Sequence, residues 1–166
     1  THPGYVSGLN DPEVNRYLVG VKRITQTERT VTEFVFHNQQ ADNAVLFGIW
    51  LNGVQNHCGT VRLHGIETNH KTAHIGICLF DKSSWRKKLG YKAVETVTGG
   101  VCFIEAAMGE AGAYSENIAS QKTFLAAGYE WIYDIPGKYI LEGKPTTVKI
   151  YAAKISRSNY TSTYIY

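Results

Sequence analysis

An apolar run from Ile75 to Phe80 is followed within a few residues by the most basic stretch of the chain, Trp85-Arg86-Lys87-Lys88-Leu89-Gly90-Tyr91-Lys92-Ala93. The run has the length and composition of a buried strand, and Asp81-Lys82-Ser83-Ser84 breaks it. After the break Leu89, Ala93, Val94, Val97 and Val101 recur at spacings of three and four, which predicts a helix. A strand, a tight loop and a helix start leave free backbone N–H groups at the positive end of the helix dipole, a geometry that holds anions. Arg86, Lys87, Lys88 and Lys92 are placed against that dipole, where acidic residues would be favoured. They predict either an anion docked at the loop or a solvated basic face.

The rest of the composition narrows the class. With 166 residues the chain can bury one real core, and its 43% hydrophobic and 19% charged content is that of a globular protein. A net charge of +3 without a long basic run argues against a nucleic-acid binder. Cys58, Cys78 and Cys102 are odd in number, far apart and in apolar settings, with no C-x-x-C pair. They read as reduced core cysteines of a cytoplasmic protein, not as a disulfide or metal framework. No run reaches the roughly 18 apolar residues of a membrane span, and no signal peptide is visible. The first residue is Thr1, so a few native residues are expected upstream.

In chain order, Asn10-Asp11-Pro12-Glu13 predicts a helix start, with Val14, Tyr17 and Leu18 on one side and Gly20 at its end. A second helix is expected from Thr25 or Thr27, with Val31, Phe34 and Val35 on one face, until Asn38-Gln39-Gln40 breaks it. The two helices either pack on the sheet or lie over a site. Ala44–Leu51 and the run through Cys58 to Leu63 flank Asn52-Gly53, a strong hairpin signal, and Gly65–Lys71 leads into Ala73–Phe80. Three successive antiparallel strands therefore end at the basic loop. Gly109–Tyr114 reads as a short strand, and Asn117 caps a helix over 118–127 closed by Gly128. Tyr129–Ile135 and Thr146–Ile155 are the last strand candidates, joined through Pro136-Gly137 and Glu142-Gly143-Lys144-Pro145. The Ser-, Thr- and Tyr-rich tail 156–166 has no readable period.

This order, and four local strings, resemble the GNAT superfamily of acetyl-CoA-dependent N-acetyltransferases, in particular the branch of ribosomal-protein N-terminal acetyltransferases. Leu9-Asn10-Asp11-Pro12-Glu13-Val14-Asn15-Arg16-Tyr17-Leu18 looks like that branch's first helix, and Ala73-His74-Ile75-Gly76-Ile77 like the start of its fourth strand. Trp85 to Ala93 falls on its pyrophosphate loop, and Asn117-Ile118-Ala119-Ser120 with Ala127-Gly128-Tyr129 on its N-x-x-S … G-F signature. The resemblance implies one mixed α/β (α+β) domain over 1–166. Its central, mostly antiparallel sheet would be splayed between the fourth and fifth strands and flanked by helices. The family's first strand would be missing or abbreviated, since only eight residues precede Leu9.

The resemblance also assigns chemistry. The family's loop reads Q/R-x-x-G-x-G/A, and the corresponding residues here are Trp85, Arg86, Lys87, Lys88, Leu89 and Gly90, with Tyr91 after them. Lys88 replaces a glycine. A left-handed backbone there would cost about 1 kcal/mol, which an ammonium–phosphate pair can offset. Backbone groups of Ile77, Cys78 and Leu79 would hold the pantetheine arm and polarise the thioester carbonyl. Gly76 would either mark a bulge that splays the strand or relieve packing. Asn117, Ser120 and Lys122 would reach the cofactor from the next helix, Asn117 equally serving as a plain N-cap. His74 stands where many relatives carry a basic Glu, with Glu67 and His70 as rivals. The usual tyrosine acid is replaced by Phe124, which leaves Tyr114 as its substitute. The expected activity is acetyl transfer from acetyl-CoA to a protein N-terminus, a small-molecule amine or an amino sugar, by a monomer or homodimer. No metal, membrane or nucleic acid is expected. The other reading is a degenerate domain that binds CoA, a nucleotide or a protein partner without catalysis.

Overall fold

The computed structural model describes residues 3–51, 56–100 and 107–154. The Asn52-Gly53 turn, Val101, Cys102 and the tail lie outside them. Six strands form one sheet: β1 (Ala44–Leu51), β2 (Asn56–Glu67), β3 (Thr72–Leu79), β4 (Met108–Tyr114), β5 (Glu130–Leu141) and β6 (Lys144–Lys154). Their order is β1-β2-β3-β4-β6-β5, and every neighbouring pair is antiparallel except β3 with β4. Helices α1 (Pro3–Asn10), α2 (Val19–Lys22), α3 (Glu28–Gln40), α4 (Leu89–Gly100) and α5 (Ile118–Ala126) flank it. Among the described residues no helix is long and apolar enough to cross a membrane.

Side-chain alternation divides the core between the two faces. Val61, Leu63, Ile75, Ala111, Ala113 and Phe124 are buried on the α4–α5 side, together with Val94 of α4. On the other side Tyr5 and Leu9 of α1, Val31 of α3 and Phe80 form a second cluster. Helix α1 approaches the sheet at Gly8, where an added Cβ would stand 2.5 Å from the Phe80 carbonyl, and Tyr5 stacks on Phe80 with centroids 4.4 Å apart.

The chain departs from the sequence reading in four places. The segment Asn10–Glu13 ends a helix instead of starting one. The Asn10 side-chain amide bonds the Val6 carbonyl at 3.1 Å and both backbone groups of Gln26 at 2.8 Å, so it ties α1 to a distant segment and is not left to cap a helix of its own. Residues Asp11–Leu18 form turns and one 3-10 turn, Asn15–Tyr17, in place of the expected first helix. Helix α3 starts as expected at Thr27, in a reciprocal capping box with Thr30. It continues through Asn38-Gln39-Gln40, because Asn38 is buried and accepts from Arg62 Nε at 2.7 Å.

Pro136-Gly137 is not a connection but an irregularity inside β5, where the register with β6 shifts between Ile135 and Tyr139. An edge strand tolerates proline, which also blunts it against pairing with another chain. The reversal comes at Glu142 and Gly143, both at positive φ (52° and 78°), as a tight hairpin turn requires. Gly76 is no bulge. The β2–β3 register runs unbroken from Gly59–Leu79 to His64–His74, and an added Cβ at Gly76 would meet nothing within 4 Å. It leaves open space on the sheet face.

Candidate active site

Strands β3 and β4 pair for three rungs only, Thr72–Met108, Ala73–Gly109 and His74–Glu110. Beyond that vertex β3 stays with β2 as far as Leu79, and β4 stays with β6 as far as Tyr114. The sheet is therefore parted where the sequence reading expected it. Phe80 N–H donates to the Cys58 carbonyl at 3.0 Å, and alternate residues of a strand turn their backbone groups to opposite edges. Gly76, Cys78 and Phe80 therefore face β2, whereas Ile77 and Leu79 turn their N–H and C=O into the gap. The Leu79 carbonyl there accepts from Trp85 Nε1 at 2.9 Å.

That indole anchors the loop to the end of the strand. Asp81 starts the turn by accepting from Ser83 N at 2.9 Å, and Ser84 Oγ donates back to the Asp81 carbonyl. Arg86 and Lys88 then adopt φ of 61° and 64°. Lys88 thus holds the left-handed conformation that its glycine-like position demands, and Arg86 adds a second. A left-handed residue feeding directly into a helix points successive N–H groups into one concavity. The first helical bond of α4 is Lys92 N to Lys88 O at 3.4 Å, so the N–H groups of Leu89, Gly90 and Tyr91 have no partner within the helix. This end packs on α5, with a Cβ at Gly90 falling at ordinary contact distance, 3.5 Å, from Thr123.

Gap and loop open into one cavity of about 790 Å³. One wall is β3, with Ile77, Cys78 and Leu79, and the second is the loop, with Trp85, Arg86, Lys88, Leu89, Gly90 and Tyr91. Asn117, Ser120 and Lys122 reach it from the start of α5. Eleven of the twelve residues expected at the cofactor thus line one cavity, and the exposed Lys87 stands outside the wall. Contrary to expectation, the Cys78 backbone faces β2 and not the gap. Asn117 does cap α5, accepting from Ser120 N at 3.2 Å, while it lines the cavity. Gly128, at φ 87°, closes the helix with Tyr129 N bonded to Phe124 O. Burial pushes the Cys78 thiol up to about 12, so it stays protonated at neutral pH.

The expected catalytic pair is separated. His74 sits at the vertex, outside the cavity wall, with Nδ1 3.7 Å from Glu110 Oε2 and its ring 5.5 Å from His64. Burial, then Arg62 and His74, lower the His64 pKa and keep that neighbour neutral. Tyr114 ends β4 and is likewise outside the cavity wall, its ring 5.7 Å from that of Tyr17, which lines it. Burial and the Tyr139 phenol raise its pKa, so it remains a proton donor. Phe124 of α5 is buried in the core and contributes nothing to the cavity.

A further wall is Glu13, Val14, Arg16, Tyr17 and Leu18, from the first of the two early segments that the sequence reading placed either on the sheet or over a site. It is held against the loop region by Lys82, whose Nζ lies 2.6 Å from Asp11 and 3.3 Å from Glu13. The signal was a contradiction within one segment: Asp11-Pro12 permits a turn as readily as a helix start.

The family model described as acetyltransferase (GNAT) domain matches residues 2–130. Among solved structures the chain superposes on RimL, the ribosomal L7/L12 alpha-N-protein acetyltransferase in complex with coenzyme A. The TM-score is 0.80 at 16% identity, covering 93% of this chain and 89% of that one. It also superposes on the Vibrio cholerae spermidine N-acetyltransferase in complex with CoA and spermine, with a TM-score of 0.79 at 13% identity, covering 95% and 94%. The microcin self-immunity acetyltransferase MccE, in complex with acetyl-CoA and AMP, gives 0.74 at 19% identity, covering 92% and 86%. No curated protein matches the sequence. These identities speak for the fold alone, whereas the family model spans well over half the chain, including the parted strands, the left-handed loop and the Asn117 cap. On that match the chain belongs to the GNAT acetyltransferase family.

Proposed function

We propose that residues 1–166 act as one domain that moves an acetyl group from acetyl-CoA to a primary amine by direct attack in a ternary complex. The observation that carries this is the continuity of the parted β3 edge with the left-handed loop at its end. Pyrophosphate sits on the N–H groups of Leu89, Gly90 and Tyr91, with Arg86, Lys87 and Lys88 supplying charge. From there the pantetheine arm runs down the gap, meeting the backbone of Ile77 and the Leu79 N–H, with the Cys78 side chain beside it. Asn117, Ser120 and Lys122 flank the arm from α5. Leu79 to Ile75 spans roughly 13 Å at the rise of a strand, so the acyl end of an arm of that length stops near the vertex.

The amine enters from the face opposite α4 and α5, where Gly76 leaves space. Its nitrogen bonds to the thioester carbon, the oxyanion is held by the Ile77 N–H, and the C–S bond breaks to release CoA thiolate. His74 takes the proton lost by the amine through intervening water, and the Tyr114 hydroxyl returns one to the thiolate. The acceptor is a protein N-terminus, a small-molecule amine or an amino sugar. The protein is read as cytoplasmic, monomeric or homodimeric, with its described thiols, Cys58 and Cys78, free.

The test is thiol release from acetyl-CoA with mass detection of the acetylated amine. Release that depends on the amine supports transfer. Binding of acetyl-CoA without release to any amine or to water would instead favour a domain that only binds the cofactor, the reading that Phe124 supports by removing the usual acid.

A further inference from the structure

Three tyrosine rings meet at the side of the gap from which the acceptor enters. Tyr17 lines the cavity, Tyr114 stands 5.7 Å from it at a tilt of 30°, and Tyr139 of β5 stands 5.8 Å from Tyr114 at 53°. The rings form an angled wall and not a closed stack, and Tyr139 is 47% exposed. On β3 the surface is bare at Gly76, where an added Cβ would meet nothing within 4 Å. The rings extend the cavity wall at Tyr17 outward as an aromatic surface against which a flat body can lie.

Charge weighs against the main competitor. A linear polyamine needs several uncommitted carboxylates along its length. Among the described residues two carboxylates near this mouth have basic partners, Glu13 with Lys82 at 3.3 Å and Glu116 with Arg16 at 3.8 Å, while Glu110 stands 3.7 Å from His74. The Arg16 guanidinium of that pair lies 5.2 Å from the Tyr17 ring centroid, so the cation stands against the aromatic wall. We infer that the acceptor is a primary amine carried on a planar aromatic body, of the arylalkylamine kind, and not a linear polyamine. The inference rests on the acetyl-transfer reading above and names the substrate class of that same site. Ring–ring contact places the body against Tyr17 and Tyr139 and directs the amine over the gap.

The experiment compares kcat/KM for tryptamine, cyclohexylmethylamine and spermidine, after acetyl-CoA binding has been established by a melting shift. Tryptamine should be the best of the three. Y139A should raise the KM for tryptamine roughly two- to tenfold, without a matching rise for cyclohexylmethylamine, and Y139F should restore it. A preference for spermidine, or a tryptamine-to-cyclohexylmethylamine ratio unmoved by Y139A, would overturn the inference while leaving acetyl transfer intact. Failure to bind acetyl-CoA at all would strike the transfer reading first, and this inference with it.

Discussion

The indole nitrogen of Trp85 donates to the backbone carbonyl of Leu79 across 2.9 Å, fastening the anion loop to the last residue of the strand that borders the gap. With this bond in place, the loop N–H groups and the open strand edge present one continuous surface. Trp85→Phe keeps the ring and removes the donor. A stability loss of about 1 kcal/mol is expected, with acetyl-CoA binding weakened several-fold, as read by denaturant melts and titration calorimetry.

Lys88 occupies the left-handed region at φ 64°, so strain and charge can be separated there. Lys88→Gly relieves a cost of about 1 kcal/mol and removes the ammonium. The apo melting temperature should hold or rise while acetyl-CoA affinity falls, and the salt dependence of binding should flatten. Affinity unchanged in Lys88→Gly would mean that the ammonium does not meet a phosphate.

Asn117 both caps α5 and lines the cavity. Asn117→Asp keeps a capping oxygen and should preserve stability, whereas Asn117→Ala should cost about 1 kcal/mol. Both should weaken acetyl-CoA, the aspartate by placing an anion beside the cofactor. If Asn117→Asp binds normally, the residue is only a cap.

His74 at the vertex should govern turnover and not cofactor binding. His74→Ala is expected to lower kcat on the order of 10²-fold, with the Kd for acetyl-CoA unchanged. An unaltered kcat would remove it from the reaction.

Asp11 links the acceptor-side turn to the loop region through Lys82, and that hydrogen bond, with the Glu13 N–H, lowers its pKa below the ordinary 3.8. A depressed carboxylate contributes its stabilisation above the ordinary value and loses it as pH falls through the folded one. The melting-temperature difference between wild type and Asp11→Asn should therefore be constant above about pH 5 and vanish at strongly acid pH. A difference that persists there would place its origin elsewhere.

Strand periodicity and the hairpin order were readable because each strand of the β1–β3 meander carries its own signal. The parting of β3 from β4 was legible only through the family resemblance, since nothing within Ala73–Phe80 encodes the course of β4. The boundary error at Asn10 came from a tertiary bond: a capping residue has one side chain, and here Gln26 takes it. Tyr129 illustrates the same limit. Its hydroxyl lies 2.9 Å from Thr98 Oγ1, and a Cβ at Gly109 would come within 2.7 Å of it. The reason for glycine at 109 thus lies about twenty residues away along the chain. The wall at Glu13–Leu18 was foreseen as a helix that could lie over a site, but its apolar residues have helical spacing without forming a continuous helix.

The central claim is that the parted strands and the left-handed loop hold acetyl-CoA. It is tested most directly by the melting temperature of the protein with acetyl-CoA, CoA and ATP. At 100 times its Kd a ligand adds about 2.7 kcal/mol, a shift of several degrees for a domain of this size. Acetyl-CoA and CoA should both raise the midpoint, and by more than ATP. No shift at millimolar acetyl-CoA, or one matched by ATP, would contradict the account.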